Sequence, residues 1–134
     1  MSKIKFAIIG CGRIGNRHAN HINNFGELVA VCDIDEKKAV ELSKTFSCNY
    51  YLNLTDMLKN ESNIDVVSIC SPNGLHYEHS IESLHHNNNV LCEKPLALSA
   101  FHSAEMIKLA EKKNLRLFAI KQNRFNPPVM AVKH

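Results

Sequence analysis

Apolar residues fall in short runs along this chain, and each run is followed by a stretch with helical spacing. Ile4 to Ile9 is apolar apart from Lys5, Leu28 to Cys32 is wholly apolar, and Val66 to Cys70 is broken only by Ser68. Shorter runs lie at Asn49 to Leu52, Val90 to Cys92 and Leu115 to Ile120. Continuous apolar runs bounded by turn residues read as strands buried on both faces. Between them the spacing changes. The segment after Ile9 reads as helix up to about Phe25. Asp35 can cap a helix over Glu36 to Phe46, with Ala39, Leu42 and Phe46 on one face. Thr55 is expected to cap a short helix from Asp56 to about Asn60. Leu75 to about Asn87 reads as helix, with Ile81 and Leu84 turned inward. Ser99 caps Ala100 to Lys113, whose predicted stripe is Ala100, Ala104, Ile107 and Ala110, with a lysine-rich end and Asn114 as the stop. Asn126-Pro127-Pro128 can begin a further helix, with proline at its first position.

Strict alternation of strand and helix predicts parallel strands with helices on both faces. The expected fold class is α/β, a Rossmann-type doubly wound sheet of about six strands in the order 3-2-1-4-5-6. Ligands of such sheets bind across the carboxyl edge, where the strand order reverses.

The first unit carries the sharpest motif. Gly10-Cys11-Gly12-Arg13-Ile14-Gly15 matches G-x-G-x-x-G between a strand and a helix, and Asp33 closes the second strand at about the 20-residue distance this motif requires. Gly10 suits a tight turn, Gly12 lets a pyrophosphate approach the backbone, and Gly15 lets the helix pack on the strand. The free N–H groups of the first helical turn would face the phosphates. Asp33 would accept hydrogen bonds from the adenosine ribose. Methyltransferases that use S-adenosylmethionine share a similar turn and acid and stand as a rival reading.

Composition narrows the field little further. The chain of 134 residues is 45% hydrophobic and 22% charged, with a net charge of +3 from scattered basic residues. The Lys37-Lys38 and Lys112-Lys113 pairs read as solvated helix faces, so nothing calls for nucleic acid or an anionic membrane. No apolar run approaches the roughly 20 residues of a membrane span, and no signal peptide precedes the first strand. A cytoplasmic location is expected. The five cysteines, Cys11, Cys32, Cys48, Cys70 and Cys92, are odd in number and include no C-x-x-C. A disulfide framework or zinc ribbon is not expected. Four of them fall at or just past predicted strand ends on one sheet edge, where small residues in a reducing compartment account for them better than a metal does. His76-x-x-His79 could hint at a metal pair but has no visible third ligand.

Three further loops should meet the glycine turn on that edge: Ser71-Pro72-Asn73-Gly74-Leu75-His76, Glu93-Lys94-Pro95 and Gln122-Asn123-Arg124-Phe125. Cys-Gly-Arg-Ile-Gly (11–15), Ser-Pro-Asn-x-x-His (71–76) and Glu-Lys-Pro (93–95), in this order, resemble the glucose–fructose oxidoreductase / inositol dehydrogenase / rhizopine-catabolism (Gfo/Idh/MocA) family over essentially the whole chain. The tail at 121–128 is similar to members that act on nucleotide-linked amino sugars or their uronic acids in surface-polysaccharide synthesis.

The resemblance implies NAD as cofactor and a sugar, polyol or nucleotide-sugar carbinol as substrate, oxidised by hydride transfer. It puts Lys94 at the reacting carbon, touching nicotinamide and substrate, where an ammonium can stabilise an alkoxide or carry its proton. A solvated loop lysine is the plainer reading. Glu93 would orient the cofactor, pair with Lys94, or both. Ser71 and Asn73 would contact the cofactor. His76 would do so around its ribose and pyrophosphate, or else cap its helix. Asn123 and Arg124 would reach the nicotinamide or substrate side, with a surface arginine as the alternative for the latter. His18, His21, His85, His86, His102 and His134 read as ordinary helix or tail residues.

Members of the family carry a second α/β domain that supplies most substrate contacts, a catalytic His/Asp pair and the homo-oligomer interface. Residues 1–122 are expected to form the dinucleotide-binding domain and 123–134 the start of the connection to that second domain. Phe125, Val129, Met130 and Val132 should pack against it. A catalytically silent dinucleotide-binding or interaction module is the alternative from a different class. Three expectations follow: NAD preferred over NADP because Asp33 occupies the 2′-phosphate position, a cis Lys94–Pro95 bond, and cofactor binding by this chain without useful turnover.

Overall fold

The computed structural model describes residues 3–120. In chain order the elements are β1 (Lys5–Ile9), α1 (Arg13–Phe25), β2 (Glu27–Cys32), α2 (Glu36–Phe46), β3 (Asn49–Tyr51), α3 (Leu54–Asn60), β4 (Val66–Ile69), a 3₁₀ turn (Asn73–Leu75), α4 (His76–His85), β5 (Asn89–Cys92), α5 (Ala100–Lys112) and β6 (Leu117–Ala119). The strands form one parallel sheet in the order β3-β2-β1-β4-β5-β6. This is the expected 3-2-1-4-5-6 arrangement, and the reversal falls between β1 and β4.

Alternation along the strands divides the core in two. Phe6, Ile8, Leu28 and Val31 pack with Ala19 and Ile22 of α1 and with Ala39 and Leu42 of α2 on one face. Ala7, Ile9, Ala30, Cys32, Val67, Ile69 and Val90 pack with Leu54, Met57 and Leu58 of α3, Leu84 of α4 and Ala110 of α5 on the other. The interior strands are apolar on both faces for this reason, and the helices need only one apolar stripe each.

Three elements differ from expectation. Asn53, not Thr55, caps α3; its side chain accepts from the Asp56 N–H at 2.8 Å, and the helix starts at Leu54, whose side chain goes inward. The chain after β4 first makes the 3₁₀ turn, so α4 starts at His76 rather than Leu75, and it ends at His85 rather than near Asn87, which takes a φ of +64°. The buried face of α5 is Met106 and Ala110, while Ile107 is 46% exposed and Ala104 lies outside. Of the predicted stripe only Ala110 is buried, and the helix is turned so that the flexible Met106 side chain goes inward. The expected caps Asp35 and Ser99 are in place, accepting from the first-turn amides of α2 and α5. Among the described residues no helix is long and apolar enough to cross a membrane.

Candidate active site

The chain leaves β1 through Gly10, whose φ of +102° favours glycine. Its N–H donates to the Cys32 carbonyl at 2.8 Å. A side chain here would also strike the β4–α4 loop, since a Cβ would lie 2.5 Å from the Cys70 carbonyl carbon. Gly15 is closed from the other side: a Cβ would sit 1.9 Å from the Gly10 carbonyl oxygen. Gly12 is different, because a Cβ there would meet nothing within 4 Å. It borders open space at the start of α1, and that helix has neither a side-chain cap nor an acid in its first turn. The uncapped amides around Arg13 and Ile14 are a ready anion site. The space that a Cβ would fill, beside those amides, fits a dinucleotide's diphosphate.

Asp33 follows β2 at the next position along the edge. Its Oδ2 accepts from the Cys11 N–H and its Oδ1 from the Asp35 N–H, both at 2.8 Å, so the carboxylate is locked beside the glycine turn. A cleft of about 590 Å³ opens here between the β1, β2 and β4 ends, with Gly10, Gly12, Asp33, Ile34, Ser71 and His79 in its walls. Lys38 also lines it, although it lies a turn into α2. The Ser71 hydroxyl pairs with His79 Nδ1 at 2.8 Å, and burial lowers the His79 pKa. Asn73 is exposed in the 3₁₀ turn.

His76 is not at the cleft surface. It is 1% exposed, with Nδ1 2.6 Å from the Pro95 carbonyl oxygen and Nε2 2.8 Å from the Ser71 carbonyl oxygen. This corrects the expected contact with ribose and pyrophosphate, because both ring nitrogens face main-chain carbonyls. It is no helix cap either: it joins the loop after β4 to the loop after β5.

Glu93 is buried, and among the described residues its ion pair is with His18, Oε1 to Nε2 at 2.7 Å, rather than with Lys94. The other His18 nitrogen meets the Ser68 hydroxyl at 2.9 Å. Serine, histidine and carboxylate in a row invite comparison with a hydrolase triad, but Ser68 is 0% exposed and cannot meet a substrate. Next to Glu93, Lys94 is exposed, and the Lys94–Pro95 bond is cis, as expected. Asn123, Arg124, Phe125, the apolar residues 129, 130 and 132 and the helix start at 126–128 lie outside the described residues.

The role of His18 was missed by sequence reasoning. A signal was present: Gly15, His18, Ala19 and Ile22 are the buried positions of α1, and a histidine in such a stripe needs a buried partner. The cysteines are free thiols. Burial pushes Cys11 and Cys32 up to about 12 and Cys48 and Cys92 up to about 11, and raises Cys70 as well. They are poor nucleophiles and serve as small packing residues.

Comparison with known proteins agrees with this geometry. Residues 4–120 match the family model described as oxidoreductase family, NAD-binding Rossmann fold. D-glucoside 3-dehydrogenase of Escherichia coli (strain K12) is 36% identical over 114 residues, which are 83% of this chain and 32% of that protein. The WlbA dehydrogenase from Bordetella pertussis, solved in complex with NADH and UDP-GlcNAcA, superposes with a TM-score of 0.92 at 33% identity, over 98% of this chain and 41% of that one. Myo-inositol 2-dehydrogenase from Lactobacillus plantarum gives 0.88 at 32% identity, over 98% and 40%. The chain thus spans about a third of the curated relative's length.

Proposed function

The chain belongs to the Gfo/Idh/MocA oxidoreductase family through its NAD-binding Rossmann domain, and from that premise we propose that it is the cofactor-holding part of a sugar-type dehydrogenase. Its substrate class is a sugar, polyol or nucleotide-linked sugar with a carbinol to be oxidised, or the matching ketone to be reduced. The WlbA relative, bound to NADH and UDP-GlcNAcA, supports the nucleotide-sugar end of this range.

The observation that carries the reading is the first turn of α1: uncapped, without an acid, and open at Gly12 beside a locked Asp33. The Gly10–Gly15 turn, with the Arg13 and Ile14 amides, holds the diphosphate. Asp33 accepts from the adenosine ribose hydroxyls. Ser71 and Asn73 border the cofactor from the β4 side. When bound, the nicotinamide ring supplies the two-electron acceptor or donor. Lys94 faces the reacting carbinol, steadies negative charge on its oxygen and carries its proton. Glu93 orients the loop that bears Lys94. Asn123 and Arg124 are assigned to the nicotinamide or substrate side by family likeness alone. Residues 1–122 constitute the cofactor domain, and 123–134 lead toward a second domain of the kind the longer relatives have room for. That domain holds the substrate and builds a homo-oligomer.

The test is to titrate this chain with NADH, NADPH and S-adenosylmethionine, then assay it with NAD against sugars, polyols and nucleotide sugars. NADH is expected to bind in the micromolar-to-millimolar range, with no useful turnover. Substrate positioning can lower a barrier by roughly 7–11 kcal/mol, and that part is assigned to the second domain. Binding of S-adenosylmethionine in place of NADH overturns the dehydrogenase reading. Robust turnover by this chain overturns the division of labour between domains.

A further inference from the structure

We propose that His18 and His76 are positioning residues for Lys94, holding the Glu93–Lys94–Pro95 loop in its working shape from opposite faces of the sheet. The inference rests on the reading of Lys94 as the residue at the reacting carbon.

Lys94 itself is exposed, and its side chain has four rotatable bonds and no hydrogen bond or ion pair to another described residue. What the protein can fix is the main chain on either side. It does so one residue before and one residue after. Before Lys94, the Glu93 carboxylate meets His18 Nε2 at 2.7 Å. After it, the Pro95 carbonyl meets His76 Nδ1 at 2.6 Å. His18 comes from α1, which packs with the Phe6 and Ile8 face. His76 comes from α4, which packs with the Ala7 and Ile9 face. The two imidazoles are 8% and 1% exposed, so neither contact has to compete freely with water.

Each histidine also ties the loop to the fixed part of the site. The far nitrogen of His18 meets Ser68 in β4, which pairs with β1 just ahead of the glycine turn. The far nitrogen of His76 meets the carbonyl of Ser71, in the wall of the cleft. Lys94 is therefore referenced to the cofactor cleft through two short routes. The chemistry of the rings differs. His18 stands between a hydroxyl, which can donate or accept, and a carboxylate, which accepts. His76 stands between two carbonyls, which only accept. Phenylalanine keeps a planar ring at either position and removes every polar contact. Glutamine keeps a donor.

The experiment compares NADH with ADP-ribose, which lacks the nicotinamide, on the wild-type chain and on H18F, H76F, H18Q, H76Q and K94A. Loss of Lys94 positioning should leave ADP-ribose affinity within about twofold and cut the NADH-over-ADP-ribose preference by about fivefold or more in H18F and H76F. The Gln variants should recover most of the preference. H76F/K94A should lose no more than K94A alone, because His76 then has nothing left to position. In the cofactor-free chain, amide exchange at Glu93, whose N–H donates to the Ile69 carbonyl at 3.1 Å, should speed up about tenfold in H18F and H76F, with β1 amides unchanged. An equal fall in both affinities with the preference intact, additive losses in the double variant, or unchanged exchange at Glu93 overturns the proposal. If wild type binds neither ligand, the dehydrogenase reading fails, while the exchange rates still decide the positioning role.

Discussion

Nε2 of His18 lies 2.7 Å from Oε1 of Glu93, and Oγ of Ser68 lies 2.9 Å from the opposite nitrogen of the same ring. This row crosses from β4 through α1 to the loop after β5, and every member is buried. Removing the imidazole takes one donor away from a buried carboxylate. H18A is expected to destabilise the chain by about 2–4 kcal/mol. H18Q, which retains an N–H, should lose roughly half of that. Urea unfolding of the three proteins checks both. Equal losses for Ala and Gln would mean that packing rather than the polar row is what His18 contributes.

Gly12 and Gly15 should separate binding from folding. A methyl group on Gly15 collides with the Gly10 carbonyl oxygen, which is backbone and can move only with the whole turn. G15A is expected to cost about 2–3 kcal/mol or more in stability. A methyl group on Gly12 enters open space, so G12A should fold within about 1 kcal/mol of wild type. It should nonetheless weaken NADH binding about tenfold or more, because the methyl would occupy the position proposed for the diphosphate. Thermal denaturation paired with NADH titration measures the two effects separately.

Asp33 should decide the cofactor. A 2′-phosphate placed beside its carboxylate sets two like charges at about 4 Å, which costs roughly 1–4 kcal/mol. NADH is expected to bind about tenfold or more tightly than NADPH. D33S removes the repulsion while Lys38 stays in the cleft wall, so the preference should shrink or invert. K38A in the D33S background should then weaken NADPH selectively, as read by fluorescence titration.

His79 gives the chain a signed pH response. Burial lowers its pKa, partly opposed by Glu82 and Glu78 and aided by His76. The unfolded state therefore binds more protons between the lowered value and the ordinary value of 6.5, and stability rises with pH across that window. Acidifying below about 6.5 should destabilise wild type more steeply than H79Q. Unfolding curves at several pH values test the difference in slope, and identical slopes would remove His79 from the account.

The sheet order was readable because apolar runs, glycine turn and caps all pointed the same way. Gly10, Gly12, Gly15, Asp33, Asp35 and Ser99 stand at turns and caps set by the main chain next to them, so spacing alone reveals where they fall. His18, His76 and His79 act through residues far along the chain: Glu93, Pro95 and Ser71. Local pattern says only that a histidine sits on a helix. Which of them turns inward depends on helix phase, and which carbonyl it meets depends on how two crossovers pack. The α5 stripe failed for a similar reason. Ala104 and Ile107 lie outside while Met106 is fully buried beside Ala110, since a flexible side chain adapts to whatever space packing leaves.

The open first turn of α1 has one more consequence. A helix whose leading amides have no side-chain cap among the described residues is an unfinished piece of secondary structure, and a diphosphate bound there, as proposed, would complete it. Binding and folding are then two views of one equilibrium. A ligand at a hundred times its dissociation constant adds about 2.7 kcal/mol to the folded state. The melting temperature of this chain should therefore climb with the concentration of the dinucleotide around it, and the amides of α1 should record that supply first.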